Sequence, residues 1–316
     1  MRSVSRSGVT VQQTDGVCQG GSAGTRPVSS ERACIQMSNH GPEFEDVSQR
    51  DISGADISLR VRGQRVFARG WGDWRSRETP PILLMHDSLG CVRVWRDFPP
   101  QLAATTGHAV IAYDRAGFGA SDPHPGPLSA DFIRDEARQT VPALMQELAI
   151  DRLIVFGHSV GGAMAVVTAA EHPNAIVAVI TESAQAFVEA QTLDSIRAAK
   201  VAFQDPAQRE RLARYHGAKA DWVLDAWTET WLSPSFAAWN LDRDLPRLRC
   251  PLLVMHGDRD PYGSTAHPAR LAALAPASTE VVIVEDCGHV PHREHPERVL
   301  QTVQRFLWRA STSPGG

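Results

Sequence analysis

The sequence predicts an α/β fold: a mostly parallel, eight-stranded sheet flanked by helices, with a helical segment inserted after the sixth strand. Three observations carry this. From about residue 80 onward, short apolar β-branched runs alternate with helical stretches at close spacing, the pattern of a parallel sheet covered on both faces. One junction, residues 153–163, passes from a buried strand into a helix of small apolar residues through Gly157-His158-Ser159-Val160-Gly161. Residues 185–246 then break the alternation with helices alone.

In chain order, residues 1–55 are rich in Ser, Gly, Gln and Arg without sustained periodicity and read as a disordered leader. The basic start lacks a following apolar stretch, which argues against a secretory signal. Asp15, Glu31, Glu43, Glu45 and Asp46 make the segment too acidic for a transit peptide. The working core is expected at 56–184 and 247–312. Alternation over 57–62 and 64–69, around Gly63, predicts a hairpin with one wet face. Residues 81–86, 109–114, 153–157, 175–180, 251–257 and 280–284 predict buried strands. Residues 92–104, 129–148, 163–170, 266–274 and 296–309 predict helices, the second of them N-capped by Ser129. The insertion at 185–246 is dense in aromatics, which suits a lid over an apolar pocket. Trp95, Phe187, Trp227 and Trp231 are the pocket candidates. Filling the insertion's own core is the other use such aromatics have.

Composition narrows the function. A chain of 316 residues can bury a large core, and a net charge of -4 gives no strong pull toward nucleic acid or anionic membrane. No apolar run reaches bilayer length. The expected partner is a small molecule. The five cysteines, Cys18, Cys34, Cys91, Cys250 and Cys287, are odd in number and hold no C-x-x-C pair. They predict neither a disulfide scaffold nor a zinc site, and fit a reducing, cytoplasmic setting.

The chemistry starts at Ser159. A sharp strand-to-helix turn exposes its hydroxyl at a helix N-terminus, and the chain approaches itself so closely there that Gly157 and Gly161 have no room for side chains. A serine hydroxyl needs a base, and the base needs an orienting acid. His289, in the loop past the last strand, lies at the same sheet edge as Ser159. His158 sits beside the serine, but the turn should aim it elsewhere, and His292 and His295 begin the closing helix. For the acid, Asp260 lies three residues past its strand. Asp258 is better placed for a turn, and Glu182 competes from the preceding strand. His86, Asp114, Ser159 and Glu182 all lie at or past carboxyl ends of strands, where open α/β sheets bind ligands. Oxyanion donors should be the N–H of Val160 and, from the loop His86-Asp87-Ser88-Leu89-Gly90, that of Ser88.

Taken together, Gly157-His158-Ser159-Val160-Gly161-Gly162, the His86 loop, residues 113–122 (Tyr-Asp-Arg-Ala-Gly-Phe-Gly-Ala-Ser-Asp), His256-Gly257-Asp258-Arg259-Asp260 and Gly288-His289 resemble the α/β-hydrolase superfamily over roughly residues 57–310. The resemblance implies an α/β-hydrolase fold, a triad of Ser159, Asp260 and His289, and a cap formed by the insertion. A serine at the elbow argues against dehalogenase-like and epoxide-hydrolase-like members, which carry Asp there. What it implies is acyl transfer to water from an ester, thioester or lactone, with no metal or organic cofactor required. Hydrolysis of a C–C bond in a ring-cleavage diketone, or ligand reception without turnover on the same fold, are the alternatives. One departure stands out: most relatives have His-Gly where this chain has His86-Asp87. A left-handed backbone would strain Asp87, and its carboxylate would oppose a developing oxyanion unless it points away.

Overall fold

A computed structural model describes residues 53–275 and 278–312. The leader expected over 1–55 lies outside them except for its last three residues, and Ala55 already opens a strand. The hairpin is β1 (Ala55–Val61) and β2 (Gln64–Trp71). Its two-residue turn, Arg62-Gly63, has φ of 53° and 81°, the doubly left-handed geometry whose twist matches the flanking strands. β3 (Ile82–Met85), β4 (Val110–Tyr113), β5 (Leu153–His158), β6 (Ile176–Glu182), β7 (Leu252–Gly257) and β8 (Thr279–Val284) follow. The sheet order is β1-β2-β4-β3-β5-β6-β7-β8, parallel from β4 to β8, with β1 and β2 antiparallel to their neighbours.

The helices are α1 (Phe98–Thr106), α2 (Phe132–Asp135), α3 (Val141–Leu148), α4 (Val160–Glu171), α5 (Ala190–Ala202), α6 (Pro206–His216), α7 (Ala220–Trp231), α8 (Ala266–Leu274), α9 (Pro291–Glu294) and α10 (Pro296–Thr312). Strand side chains alternate between two apolar layers. Leu83, Met85 and Val155 meet α3, α4 and α8, while Ile82, Leu84, Ile154 and Phe156 meet α1 and α10. This is why β3 and β5 read as unbroken apolar runs. No described helix is long and apolar enough to cross a membrane.

Two expected helices are interrupted, each at proline. Over 92–104, a 3-10 turn (Val92–Trp95) stops at Arg96, with φ 53°, and α1 restarts so that Pro99 and Pro100 fall in its first turn, where a missing N–H does least harm. Over 129–148, a π turn (Glu136–Thr140) separates α2 from α3, because Pro142 cannot donate to the carbonyl one turn back. Between β6 and β7 come α5, α6 and α7, of which α6 and α7 pack Leu212, Val223 and Leu224 around Phe118 in a small apolar cluster.

The centre of the molecule is the passage from β5 to α4, where α4 crosses the end of β3. A Cβ added at Gly161 would lie 2.0 Å from the carbonyl oxygen of Met85. Gly161→Ala should therefore destabilise the protein by about 3 kcal/mol, the upper end of overpacking, because the obstacle is backbone. Thermal unfolding should then show a midpoint roughly 6–12 °C lower. An unchanged midpoint would mean that the crossing is looser than described.

Candidate active site

Ser159 has φ 56° and ψ -124°, outside the helical and extended regions. Two features hold it there. Its N–H donates to the Glu182 carbonyl at 2.8 Å, and the chain folds so tightly that a Cβ at Gly157 would lie 2.0 Å from Gly161 O. The turn lifts the hydroxyl into a cavity of about 120 Å³, faced by Ser88, Gln185, Trp227, Trp231 and His289. Val160 is the first residue of α4, so its N–H has no acceptor within the helix.

His289 reaches the same cavity from the loop after β8. Its Nδ1–H donates to both carboxylate oxygens of Asp260, each at 2.8 Å. This fixes the tautomer and leaves Nε2 with its lone pair. Asp260 is buried past the end of β7. Burial would raise its carboxyl, but the hydrogen bond and charge of His289, the Tyr262 N–H at 2.8 Å and the nearby His256 outweigh it and hold the group below its ordinary value. α5 clamps this loop: Gln191 Nε2, Thr192 Oγ1 and Ser195 Oγ donate to the carbonyls of Asp260, Tyr262 and Pro261. The insertion is thereby tied to the segment that carries Asp260.

The competing residues are engaged elsewhere. Glu182 is fully buried and accepts from the backbone N–H of His292 at 2.6 Å and from its ring Nδ1. Asp258 is exposed and accepts from Cys287 N–H. His295 bonds the Asp286 carbonyl. His158 is aimed away from the Ser159 hydroxyl, as expected, and does not line the cavity: Nε2–H donates to the His289 carbonyl at 2.7 Å, and Nδ1 is 3.2 Å from Asp87 Oδ2. His158, Glu182 and His292 have ligating atoms within 4.8 Å of one another. Nε2 of His158, Nδ1 of His292 and both oxygens of Glu182 are already hydrogen-bonded to protein groups, and His158 Nδ1 faces Asp87 Oδ2 at 3.2 Å, so they form a charge network and not an open ligand set.

The Asp87 loop resolves differently from the sequence expectation. Asp87 does not take positive φ. Its Oδ1 accepts the Leu89 N–H at 2.8 Å, and its Oδ2 faces His158. Burial would raise this carboxyl, but the His158 hydrogen bond and charge hold it well below the usual range. Leu89 N–H is thus engaged, and Gly90 N–H turns back to the Asp87 carbonyl. Among the described residues no acceptor takes the Ser88 N–H, which leaves it as the loop's available donor. His86 braces the loop from below: its Nδ1–H donates to Asp87 O, and its Nε2 accepts from the backbone N–H and Nε of Arg115.

Two pocket candidates are corrected. Trp95 is buried against Phe98, Phe156 and His292 under the sheet edge, because the 3-10 turn that carries it points into the core. Phe187 packs on His267, pairs by backbone with Asn240 and faces a separate groove. Gln185 was missed. It follows β6 by three residues, is buried, and its Oε1 accepts from Ser159 Oγ at 3.4 Å. The strand-end rule used for its neighbours would have found it.

Comparison with known proteins agrees with this architecture. The model of the alpha/beta hydrolase family matches residues 66–302. A serine hydrolase, BPHL, of Mus musculus is 31% identical over 278 residues, covering 84% of this chain and 91% of that protein. The 2-hydroxymuconate semialdehyde hydrolase of Pseudomonas sp. (strain CF600) is 25% identical over 259 residues, 74% of this chain and 88% of the other. Among solved structures, the enol-lactonase from Burkholderia xenovorans LB400 superposes with a TM-score of 0.60 at 25% identity, over 79% of this chain and 99% of that one.

The geometry makes a direct prediction. Asp260→Asn keeps the shape but offers an N–H to His289 Nδ1, favouring the wrong tautomer. Labelling of the protein by a fluorophosphonate probe should slow by about 10²–10⁴-fold, with thermal unfolding little changed. Labelling at the wild-type rate would remove Asp260 from the site.

Proposed function

The chain belongs to the alpha/beta hydrolase family, and from that premise we propose that it is a serine hydrolase, cleaving a carboxylic ester, thioester or lactone of a small to medium apolar substrate through an acyl-enzyme. The observation that carries this reading is that Ser159, Ser88 and His289 line one cavity with tryptophan walls, with His289 Nδ1 held by Asp260 and Val160 opening the helix directly after the serine. His289 Nε2 takes the Ser159 proton as Oγ attacks the carbonyl carbon. Asp260 holds the resulting imidazolium, and the two N–H groups meet the oxyanion. Collapse expels the alcohol, which takes the proton from His289. Water, deprotonated by the same nitrogen, then releases the acid. The bond from Ser159 to Gln185, at 3.4 Å, is long and readily exchanged for the base when substrate enters.

Cavity size favours a short acyl part. The 120 Å³ is a little less than the roughly 150 Å³ of a cavity that admits benzene. Past Ser88, Trp227 and Trp231 leave a gap of only about 10 Å³ beside Arg115 and Phe118. On the other side of Arg115, Phe118, Leu128 and Phe132, which line both, is a solvent-facing groove of about 540 Å³. Hydrolysis of p-nitrophenyl esters of rising chain length should therefore fall off beyond short acyl chains, and Ser159→Ala should abolish it. Trp227→Ala opens the gap and should raise kcat/KM for octanoate relative to acetate by about tenfold, as removal of a steric wall does. An unshifted chain-length profile would sink the gap as the size filter. Turnover of a ring-cleavage diketone without ester hydrolysis would instead favour the C–C reaction named for the Pseudomonas relative. Binding without turnover would favour a receptor.

A further inference from the structure

We infer that His158 is a positioning residue of this site: as an imidazolium it cancels the Asp87 carboxylate beside the oxyanion position and holds the His289 loop by its carbonyl. The inference rests on the serine-hydrolase reading above and explains how a carboxylate is tolerated in the oxyanion loop.

The argument is geometric. Both ring nitrogens of His158 face groups that only accept: the His289 carbonyl at 2.7 Å from Nε2, and Asp87 Oδ2 at 3.2 Å from Nδ1. A neutral imidazole has one N–H and would set a lone pair against one of these oxygens in a buried place. Two protons satisfy both. Of the charged and titratable groups packed on the ring, the two carboxylates favour the cation. Asp87 comes from the loop after β3, and Glu182 from the end of β6, its charge attracting a cation. From the loop after β8, the His289 ring lies 5.0 Å from the His158 ring, and the His289 backbone carbonyl faces Nε2. His292 on α9 stands edge-on at 5.2 Å, with its Nδ1 committed to Glu182 and not to His158. Trp95 closes the remaining side at 6.3 Å. Burial opposes the charge, but the Asp87 hydrogen bond, the charges of Asp87 and Glu182, and the His289 carbonyl together push the group up to about 9.

Two consequences follow for catalysis. The Asp87 carboxylate lines the cavity next to Ser88. Paired with His158 and the Leu89 N–H, it forms a closed dipole and leaves the Ser88 N–H to the oxyanion. The bond to His289 O also pins the backbone of the base from the side opposite Asp260. Since His158 has a raised value in the folded state, the contribution is complete below pH 6.5 and is lost as pH rises through about 9.

The test is a charge-balance cycle on the full chain, with ester turnover and ring nitrogen shifts as separate readouts. His158→Asn removes the cation and leaves Asp87 unbalanced, and kcat/KM should fall about 10²-fold, comparable to loss of an oxyanion donor. Adding Asp87→Asn to that variant removes the stranded charge and should recover at least about tenfold, with kcat moving more than KM. Additive losses in the double variant, or a wild-type rate in His158→Asn, would overturn the inference. Nitrogen NMR of the wild-type protein at pH 7 should find both His158 nitrogens protonated, with deprotonation near pH 9. One unprotonated nitrogen at pH 7 would overturn it even if a variant fails to fold. Absence of any ester turnover in wild type would fell the hydrolase reading, while the NMR result still decides the charge of His158.

Discussion

The structure depends on one close approach. Between Gly157 and Gly161 the backbone doubles back, and the helix that follows presses its first turn onto the end of β3. No side chain fits at either glycine, and Ser159, midway between them, is held at positive φ. Strain at Ser159 is stored because the sheet over-determines it: β3 and β6 flank β5, and the Ser159 N–H is anchored to the end of β6. Everything functional is arranged around the point where this turn breaks the surface of the sheet.

What surrounds the turn is a set of buried charges arranged so that each has a partner. Asp260 faces His289, Glu182 faces His292 and Asp87 faces His158. Only the first pair reaches the cavity with a reactive atom. The others lie beneath or beside it, and each links loops from different strands: β3 to β5 through Asp87 and His158, β6 to α9 through Glu182 and His292. Breaking a fully buried pair such as Glu182 and His292 costs about 3–5 kcal/mol, so that link constrains the site more than a surface pair could. The insertion joins the same scheme, since α5 bonds three successive carbonyls of the Asp260 loop.

Legibility in the sequence followed the range of the interaction. The strands, the glycine-flanked turn and the placement of Ser159, Asp260 and His289 at one sheet edge rest on local pattern and on a topological rule, and these residues do come together. The helix interruptions at Pro99, Pro100 and Pro142 were written in the sequence, but apolar periodicity on both sides masked them. Asp87 stands out in the sequence as the odd residue of its loop, but no local pattern marks its partner. The pairing with His158 joins two strand ends 71 positions apart and depends on ring orientation set by packing. Trp95 failed for the same reason in reverse: an aromatic near the site in sequence was drawn into the core by Phe98 and Phe156. Aromatic density identified the insertion as a wall, but only packing decided that Trp227 and Trp231 face the cavity while Trp239 stacks on Phe236.

The central claim is that Ser159 is the nucleophile, activated where the elbow exposes it. The measurement that tests it most directly is peptide mapping by mass spectrometry after reaction of the wild-type protein with a fluorophosphonate. The account predicts one phosphonyl group per chain, on the peptide spanning Gly157 to Gly161 and attached to Ser159. An unreactive folded protein, or an adduct on any other residue, would contradict it.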